Sequence, residues 1–168
     1  MQPNQTAPLT VALYQPDIPQ NAGTILRMCA CLGLEAAIIE PAGFLACDKH
    51  FRRAGMDYLA HVEIARYPHF AAFEDWRRAN GRRLVLLTTK AELAYTAFCY
   101  LPGDILLFGR ESAGAPVEVH AAADARLLIP MKHKMRSLNV AVAAAMVAGE
   151  AVRQMRLAGF PKLSRRYR

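Results

Sequence analysis

The stretch ILLFGRESAGAP, residues 105–116, joins a short apolar run to a turn with two glycines, an arginine, a glutamate and a proline. The apolar run is typical of a buried strand. Gly109 and Gly114 permit close approach of the backbone, and Pro116 can start a helix. Ligands of doubly wound sheets bind beyond the carboxyl ends of the strands. We therefore predict that this turn is a pocket wall; the alternative is that Glu111 is only a polar turn residue.

The same alternation of apolar runs and amphipathic segments extends along the chain. Predicted buried strands are residues 9–14, 36–40, 83–89, 104–109 and 126–131, and predicted helices are residues 22–33, 48–55 and 69–81, ending in glycine caps at Gly33, Gly55 and Gly81. This order predicts an α/β fold with a mostly parallel sheet flanked by helices.

A final helix is predicted over SLNVAVAAAMVAGEAVRQMRL, residues 137–157, with Ser137 as its cap. Its first three turns are apolar on nearly every side, so the helix must be covered all round. The many alanines permit close approach of another helix. Part of its surface is therefore expected at a subunit interface, and the alternative is a central core helix in a monomer.

The length of the chain, 168 residues of which 54% are hydrophobic, is enough for one domain. We expect a single domain over residues 1–168, with loose ends at about 1–8 and 160–168. Neither a secretion signal nor an apolar stretch of the ~18 residues that a membrane span needs is present. The expected location is cytoplasmic.

Positive charge is concentrated in the last quarter of the sequence, whereas the whole chain carries a formal net charge of +7. Residues 126–168 contain ten Lys or Arg and one acid, Glu150, so they carry +9 and residues 1–125 carry −2. A cationic face of this kind attracts phosphate backbones. For residues 162–168 alone, a solvated basic tail is an equal alternative.

Four cysteines raise the question of a disulfide or metal site: Cys29, Cys31, Cys47 and Cys99. The chain is large and poor in cysteine, and residues two apart on a helix point to nearly opposite sides. We predict buried free thiols. Cys47 and His50 have a spacing that metals use, but no second pair completes a tetrahedral set, so no metal is expected.

Three predicted turns after strands carry unusual polar residues. The first, residues 15–29, places Asn21 to cap a helix and Arg27 in the early turns of that helix. The second is FGRESAGAP, residues 108–116, which we call the glycine turn. The third is the basic loop PMKHKMRSLN, residues 130–139. The sequence has no G-x-G-x-x-G after the first strand, no G-x-x-x-x-G-K-[ST] and no G-x-S-x-G. The usual dinucleotide, nucleoside-triphosphate and α/β-hydrolase sites are therefore not supported.

The ordered motifs NAGTILR (21–27), FGRESAGAP (108–116) and IPM (129–131) followed by SLN (137–139) resemble those of the SPOUT superfamily of RNA 2′-O-ribose methyltransferases. The resemblance covers about residues 9–157. Four further segments, ALYQPDIPQN (12–21), IIEPAGF (38–44), RRAGMDY (52–58) and LTTK (87–90), are similar to the tRNA (cytidine/uridine-34 2′-O)-methyltransferases, which act on the wobble nucleotide.

The resemblance implies a deep trefoil knot on the C-terminal side and a homodimer whose active site is shared across the subunit interface. It also implies that the three turns described above, at residues 15–29, 108–116 and 130–139, hold S-adenosylmethionine in a bent shape. The residues that it assigns to the cofactor are Leu87, Gly109, Gly114, Ile129 and Ser137, with Met131 and Leu138 at the adenine.

For the chemistry, the resemblance implies that Arg27 binds the substrate phosphate and polarises the ribose hydroxyl. Arg27 is not an ordinary base, because a guanidinium stays protonated. Glu111 and Asn139 would orient Arg27 and the ribose, and Asn21 would shape the first loop. The alternatives are that Arg27 is a helix-surface ion-pair partner and that Asn21 is only a helix cap. Residues Lys132, Lys134 and Arg136 are predicted to bind RNA.

Two departures from the wobble-specific pattern concern the third motif. This chain has KHKMR (132–136) in place of a proline-aspartate-serine stretch, and SLNVAV (137–142) in place of S-x-N-L-S-N. An rRNA 2′-O-methyltransferase of the same superfamily is therefore an alternative. A second alternative, of another class, is a catalytically silent RNA-binding module, which the presence of Arg27, Glu111 and Asn139 disfavours.

Overall fold

A seven-stranded sheet forms the centre of the computed structural model, which describes residues 9–157. The strands are β1 (Thr10–Tyr14), β2 (Glu35–Ile39), β3 (Ile64–Tyr67), β4 (Leu84–Leu87), β5 (Leu93–Ala94), β6 (Ile105–Phe108) and β7 (Ala125–Leu128). Their order is β3-β2-β1-β6-β4-β7-β5, and every neighbouring pair is parallel. The predicted parallel α/β fold is confirmed. The loose ends predicted at 1–8 and 160–168 lie outside the described residues.

Helices cover both faces of the sheet. They are α1 (Pro19–Leu32), α2 (Lys49–Gly55), α3 (Phe70–Ala79), α4 (Val117–Ala122) and α5 (Val140–Leu157), with 3₁₀ turns at Met56–His61 and Tyr95–Ala97. Alternate strand residues such as Leu13 and Leu106 pack with α1, α2 and α5, whereas Ala12 and Leu107 pack with α3 and α4. Because both faces are buried, the strands read as continuous apolar runs rather than alternating ones.

The two strands at the edges of the sheet were not predicted. Strand β3 is only partly buried, and β5 has two residues, so neither leaves a continuous apolar run in the sequence. The five predicted strands are present, with ends that differ by at most three residues from the prediction. The largest difference is at β7, which ends at Leu128. Residues 129–131 therefore lie beyond the sheet, in the loop that leads to α5.

The predicted cap of the first helix is wrong. Helix α1 begins at Pro19 after Ile18, because proline at the first helical position already has the required φ. Asn21 therefore lies within the first turn, and its side chain is available for other contacts. The glycines after α1 and α3 are confirmed as helix ends, with φ of 66° at Gly33 and 60° at Gly81.

Two further predicted caps are also wrong. Gly55 is the last residue of α2, and the left-handed residue after it is Met56, with φ of 49°. Helix α5 begins at Val140, three residues later than predicted. Asn139, not Ser137, caps it, since Asn139 Oδ1 accepts hydrogen bonds from the backbone N–H groups of Ala141 (2.8 Å) and Val142 (3.3 Å).

The parallel order places the carboxyl ends of β1, β6, β4 and β7 side by side. Leu13 is in register with Phe108, Phe108 with Leu87, and Leu87 with Leu127. The loops that follow these strands therefore leave the sheet at one edge. The trefoil knot stays a prediction. No helix within residues 9–157 combines the length and apolar character needed to cross a membrane.

Candidate active site

A cleft of about 550 Å³ lies at the carboxyl edge of the sheet, between the loops after β4, β6 and β7 and the start of α5. All the residues predicted to bind the cofactor line it: Leu87, Gly109, Gly114, Ile129, Met131, Ser137 and Leu138. Asn21, Glu111, Asn139 and Arg136 also line it. The fold thus brings together residues that are up to 118 positions apart in the chain.

The glycine turn after β6 forms one wall of this cleft. Arg110 and Gly114 exchange two backbone hydrogen bonds, of 3.0 and 2.8 Å, and Gly114 has φ of 68°. A Cβ added at Gly109 would lie 2.5 Å from the backbone carbon of Gly114, so only glycine fits. The turn therefore presents backbone to the cleft, as its two glycines predicted.

One residue from each of the three motifs takes part in a hydrogen-bonded chain beside the cleft. Asn139 Nδ2 donates to Asn21 Oδ1 at 3.0 Å, and Asn21 Nδ2 donates to Glu111 Oε1 at 3.2 Å. The groups at the two ends of this hydrogen-bonded chain, Asn139 and Glu111, determine which atom donates in each bond. Asn139 Oδ1 is occupied by the start of α5, and the Glu111 carboxylate only accepts while ionised. These hydrogen bonds therefore connect α1, the glycine turn and α5.

A second set of contacts, absent from the sequence predictions, ties the first loop to the glycine turn. Arg110 donates to Asp17 Oδ1 at 2.7 Å, and Ser112 Oγ donates to Asp17 Oδ2 at 2.6 Å. These hydrogen bonds, the one from Arg110 above all, lower the pKa of Asp17 to about 2. In return, the backbone N–H of Asp17 donates to Glu111 Oε2 at 2.8 Å. The available sequence signal is an acid three residues after β1 and an arginine in the facing turn.

Arg27 does not line the cleft of its own chain. It is exposed, its Nη1 lies 3.2 Å from Met56 Sδ, and its Cζ lies 4.8 Å from the centre of the Tyr58 ring. The expectation that Glu111 and Asn139 orient Arg27 does not hold within one chain, where both contact Asn21. Six residues of helix rotate Arg27 by about 240° and move it by about 9 Å relative to Asn21. It faces the 3₁₀ turn Met56–His61, which directly follows α2.

The predicted RNA-binding residues lie in the exposed loop between β7 and α5. Arg136 lines the cleft, whereas Lys132 and Lys134 do not. A turn in this loop brings Met135 N–H within 3.1 Å of the Lys132 carbonyl oxygen, with φ of 72° at Lys134. None of the three cations forms a salt bridge within residues 9–157.

Two further basic residues of the cleft were missed by the sequence predictions. Lys90 follows β4, and His120 lies on α4. Burial, together with the positive charges of Lys90 and Arg126, lowers the pKa of His120. The LTTK segment at residues 87–90 was the available signal for Lys90, whereas no pattern indicated His120.

The prediction of four buried thiols is correct only for Cys29. Burial in α1 raises the pKa of Cys29 to about 12, whereas Cys31, Cys47 and Cys99 are exposed. Cys31 is exposed because residues two apart on a helix face opposite sides. Within residues 9–157, no three His, Cys, Asp or Glu side chains are grouped to hold a metal ion.

A parallel sheet with a cleft built from these three motifs places the chain in a class: it belongs to the SpoU rRNA Methylase family, whose model matches residues 8–149. It is also similar to individual members. A tRNA (cytidine(34)-2′-O)-methyltransferase of Beijerinckia indica is 68% identical over 145 residues, which cover 86% of this chain and 91% of that protein.

Solved structures show the same likeness. A structure reported under "Structural insights into the 2-OH methylation of C/U34 on tRNA" has a TM-score of 0.85 and 42% identity, and the match covers 89% of this chain and 97% of that chain. The SpoU methyltransferase AviRb from Streptomyces viridochromogenes, in complex with AdoMet, has a TM-score of 0.82 and 30% identity over 89% of this chain and 58% of its own.

Proposed function

We propose that this protein transfers a methyl group from S-adenosylmethionine to the ribose 2′-oxygen of a tRNA wobble nucleotide, C or U at position 34. The observation that carries the proposal is the hydrogen-bonded chain Asn139–Asn21–Glu111, which joins the three motifs at one cleft. The names of the similar proteins support the choice of tRNA and of position 34.

The residues of the cleft fit S-adenosylmethionine. A volume of about 550 Å³ is in the usual range for small-molecule sites. Leu87, Ile129 and Leu138 offer apolar surface for a flat base, and the backbone of the glycine turn offers polar groups. Arg136 supplies a positive charge that can pair with a carboxylate. When bound, S-adenosylmethionine supplies an electrophilic methyl group. The proposed mechanism uses no metal, so a chelator is expected not to inhibit.

The carboxylate of Glu111 is committed to positioning rather than to proton transfer. Both of its oxygens accept hydrogen bonds, one from Asn21 and one from the backbone of Asp17. Asn139 is held by α5 on one side and by Asn21 on the other. These hydrogen bonds join the walls of the cleft to each other, which supports holding a ribose in line with the methyl group.

Arg27 would act in the cleft of a second copy of the chain. It is remote from its own cleft, and a shared active site agrees with the resemblance to dimeric enzymes. The guanidinium would bind the substrate phosphate bidentately and polarise the reacting hydroxyl, whose proton would pass to that phosphate as the oxygen is methylated. We place the dimer interface at the exposed side of α5, and the enzyme in the cytoplasm.

The test combines purified protein, S-adenosylmethionine with a labelled methyl group and bulk tRNA, followed by mapping of the labelled nucleoside. Label in 2′-O-methylcytidine or 2′-O-methyluridine at position 34 is the expected result. Transfer to rRNA instead of tRNA would assign the protein to the rRNA enzymes. Binding of tRNA without cofactor binding or turnover would identify a silent RNA-binding module.

Substitution Arg27→Ala is expected to lower the rate of methyl transfer by at least about 100-fold, as loss of a group that assists proton transfer does. The affinity for S-adenosylmethionine, measured by calorimetry, should stay unchanged because the proposed partners of Arg27 are the phosphate and hydroxyl of the RNA, not the cofactor. The control is Arg78→Ala, at an exposed arginine of α3. Equal rates in the two variants would remove Arg27 from the mechanism.

A further inference from the structure

The cations of the protein fall into two groups according to whether they have an acidic partner. The arginines that form salt bridges are Arg66, Arg77, Arg78, Arg82, Arg83, Arg110 and Arg153. Within the described part of the chain, Arg27, Lys49, Arg52 and Arg53 form none, and all four are exposed. These four cations thus differ from the salt-bridged arginines in having no acidic partner among the described residues.

These four unpaired cations belong to two helices in direct contact. Helix α1 crosses α2 at Gly23, where an added Cβ would lie 2.5 Å from the Phe51 carbonyl oxygen and 2.8 Å from Ala54 Cβ. Arg27 follows Gly23 by one helical turn, so its side chain lies over the end of α2. The close contact at Gly23 therefore brings the positive charge of α1 to that of α2.

The exposed face of α2 is basic along its whole length. Phe51 and Gly55 are buried against the rest of the protein, which leaves Lys49, Arg52 and Arg53 in solvent. The backbone N–H of Met56 donates to the Arg52 carbonyl oxygen, so Arg52 lies one helical turn before Met56. The sulfur of Met56 contacts Arg27. The arginines of α2 thus lie within about one helical turn of the residue that Arg27 contacts.

Acids within this surface do not neutralise it. The Asp48 carboxylate accepts hydrogen bonds from His50 N (2.7 Å) and Phe51 N (3.3 Å) and is thereby used as the cap of α2. Asp57 is exposed and forms no salt bridge within residues 9–157. Four cations face two acids, so the surface has a net positive charge.

The Arg27 guanidinium is held by an aromatic ring. Tyr58 is 36% exposed, and its ring lies 4.8 Å below Arg27 Cζ. A guanidinium placed over one face of a ring can still offer N–H groups to phosphate oxygens. Of the Arg27 nitrogens, Nη1 also contacts Met56 Sδ at 3.2 Å. A freely rotating side chain would lose more entropy on binding the same phosphate.

We propose that the α1–α2 patch, formed by Arg27, Lys49, Arg52, Arg53 and Tyr58, binds the phosphate backbone of the substrate RNA, with Tyr58 as the positioning residue for Arg27. The inference takes its ligand from the proposed function and extends it to a surface outside the cofactor cleft of the same chain. Unpaired guanidinium groups around an exposed aromatic ring match RNA, which offers both phosphates and bases that stack.

The binding test compares two double variants that remove the same charge. Arg52→Gln with Arg53→Gln is expected to raise the Kd for tRNA about tenfold and to reduce the slope of log K against log salt by about 0.7 for each phosphate that the variant no longer neutralises. Arg66→Gln with Arg78→Gln, on β3 and α3, is the control and should leave both quantities near those of the wild type. Equal behaviour of the two double variants would overturn the patch.

The positioning test separates the ring of Tyr58 from its hydroxyl and from its volume. Tyr58→Phe is expected to retain wild-type kcat, whereas Tyr58→Leu, which fills similar space without a π face, should lower kcat about tenfold at unchanged affinity for S-adenosylmethionine. Equal kcat in the Leu variant and the wild type, or an equal loss in the Phe variant, would overturn the role of the ring. Thermal unfolding of each variant checks that the fold is intact.

The two proposals fail separately. If the wild type binds tRNA but transfers no methyl group, the proposed function is wrong, and the binding test still decides whether the α1–α2 patch contacts RNA. If methyl transfer occurs but the two double variants bind tRNA equally, the activity stands and the patch does not.

Discussion

The carboxamide of Asn139 both caps a helix and donates a hydrogen bond beside the cleft. Its oxygen caps α5, and its nitrogen donates to Asn21, which in turn donates to Glu111. We call the two hydrogen bonds Asn139–Asn21 and Asn21–Glu111 the relay. The cap uses the oxygen of the Asn139 carboxamide, whereas the relay uses its nitrogen. Capping needs only an acceptor oxygen, whereas the relay needs a donor as well.

This separation leads to a prediction for Asn139→Asp. The carboxylate keeps the cap, so the free energy of unfolding should stay within about 0.5 kcal/mol of the wild type, whereas Asn139→Ala should lose about 1 kcal/mol. The aspartate cannot donate to Asn21 Oδ1. We therefore expect Asn139→Asp to lower methyl transfer at least tenfold, as measured alongside chemical unfolding. Wild-type activity in the Asp variant would show that the relay is not needed.

The motifs in the sequence identify the residues of the relay but not their contacts. The type and position of Asn21 favour a helix cap, yet Pro19 makes that cap unnecessary. Asp17 and Arg110 were not predicted as partners, because neither side of an ion pair between distant loops carries a strong local signal. Side-chain partners that are 93 residues apart follow from the fold, not from spacing.

Among the helices, α5 has one buried and one exposed side. Ala144, Val147, Ala148 and Ala151 are fully buried, whereas Val142 is 50% and Met146 37% exposed. Together with Ala145 and Gly149, these exposed residues form an apolar stripe along the helix. Such a stripe on a surface helix is typical of an interface.

If this stripe is the dimer interface, Val142→Glu with Met146→Glu should weaken self-association at least tenfold, because two carboxylates would be buried in apolar surroundings. The same variant should lose methyl transfer, since Arg27 would no longer reach a second cleft. Sedimentation velocity across a concentration series measures the first effect. The control is Val117→Glu, at an 84% exposed valine of α4. Unchanged association of the double variant would place the interface elsewhere.

Two groups of neighbouring cations form no salt bridge within residues 9–157. The basic loop with Lys132, Lys134 and Arg136 borders the cleft, and the α1–α2 patch lies on the helices that cover one face of the sheet. The arginines on the opposite face, in α3, are neutralised by Glu74 and Asp124. The charge distribution thus favours approach of RNA from one side.

Neutralising Lys132, Lys134 and Arg136 to glutamine should weaken tRNA binding and reduce its salt dependence, by about 0.7 in slope for each phosphate that the loop no longer binds. Affinity for S-adenosylmethionine must be measured separately, since Arg136 also lines the cleft. Titrations at several salt concentrations give both affinity and slope. If both are unchanged, the basic loop is not an RNA surface.

Local patterns in the amino-acid sequence are enough to specify the parallel α/β core and the identity of the motif residues. Burial on both faces requires continuous apolar runs, and tight turns require glycine, so both features can be read from neighbouring residues. Which residues meet depends instead on the relative placement of distant elements. That placement sets the edge strands, the Asp17–Arg110 ion pair and the direction of Arg27. Local preferences do not encode it, because each of these contacts joins groups that are distant in the sequence.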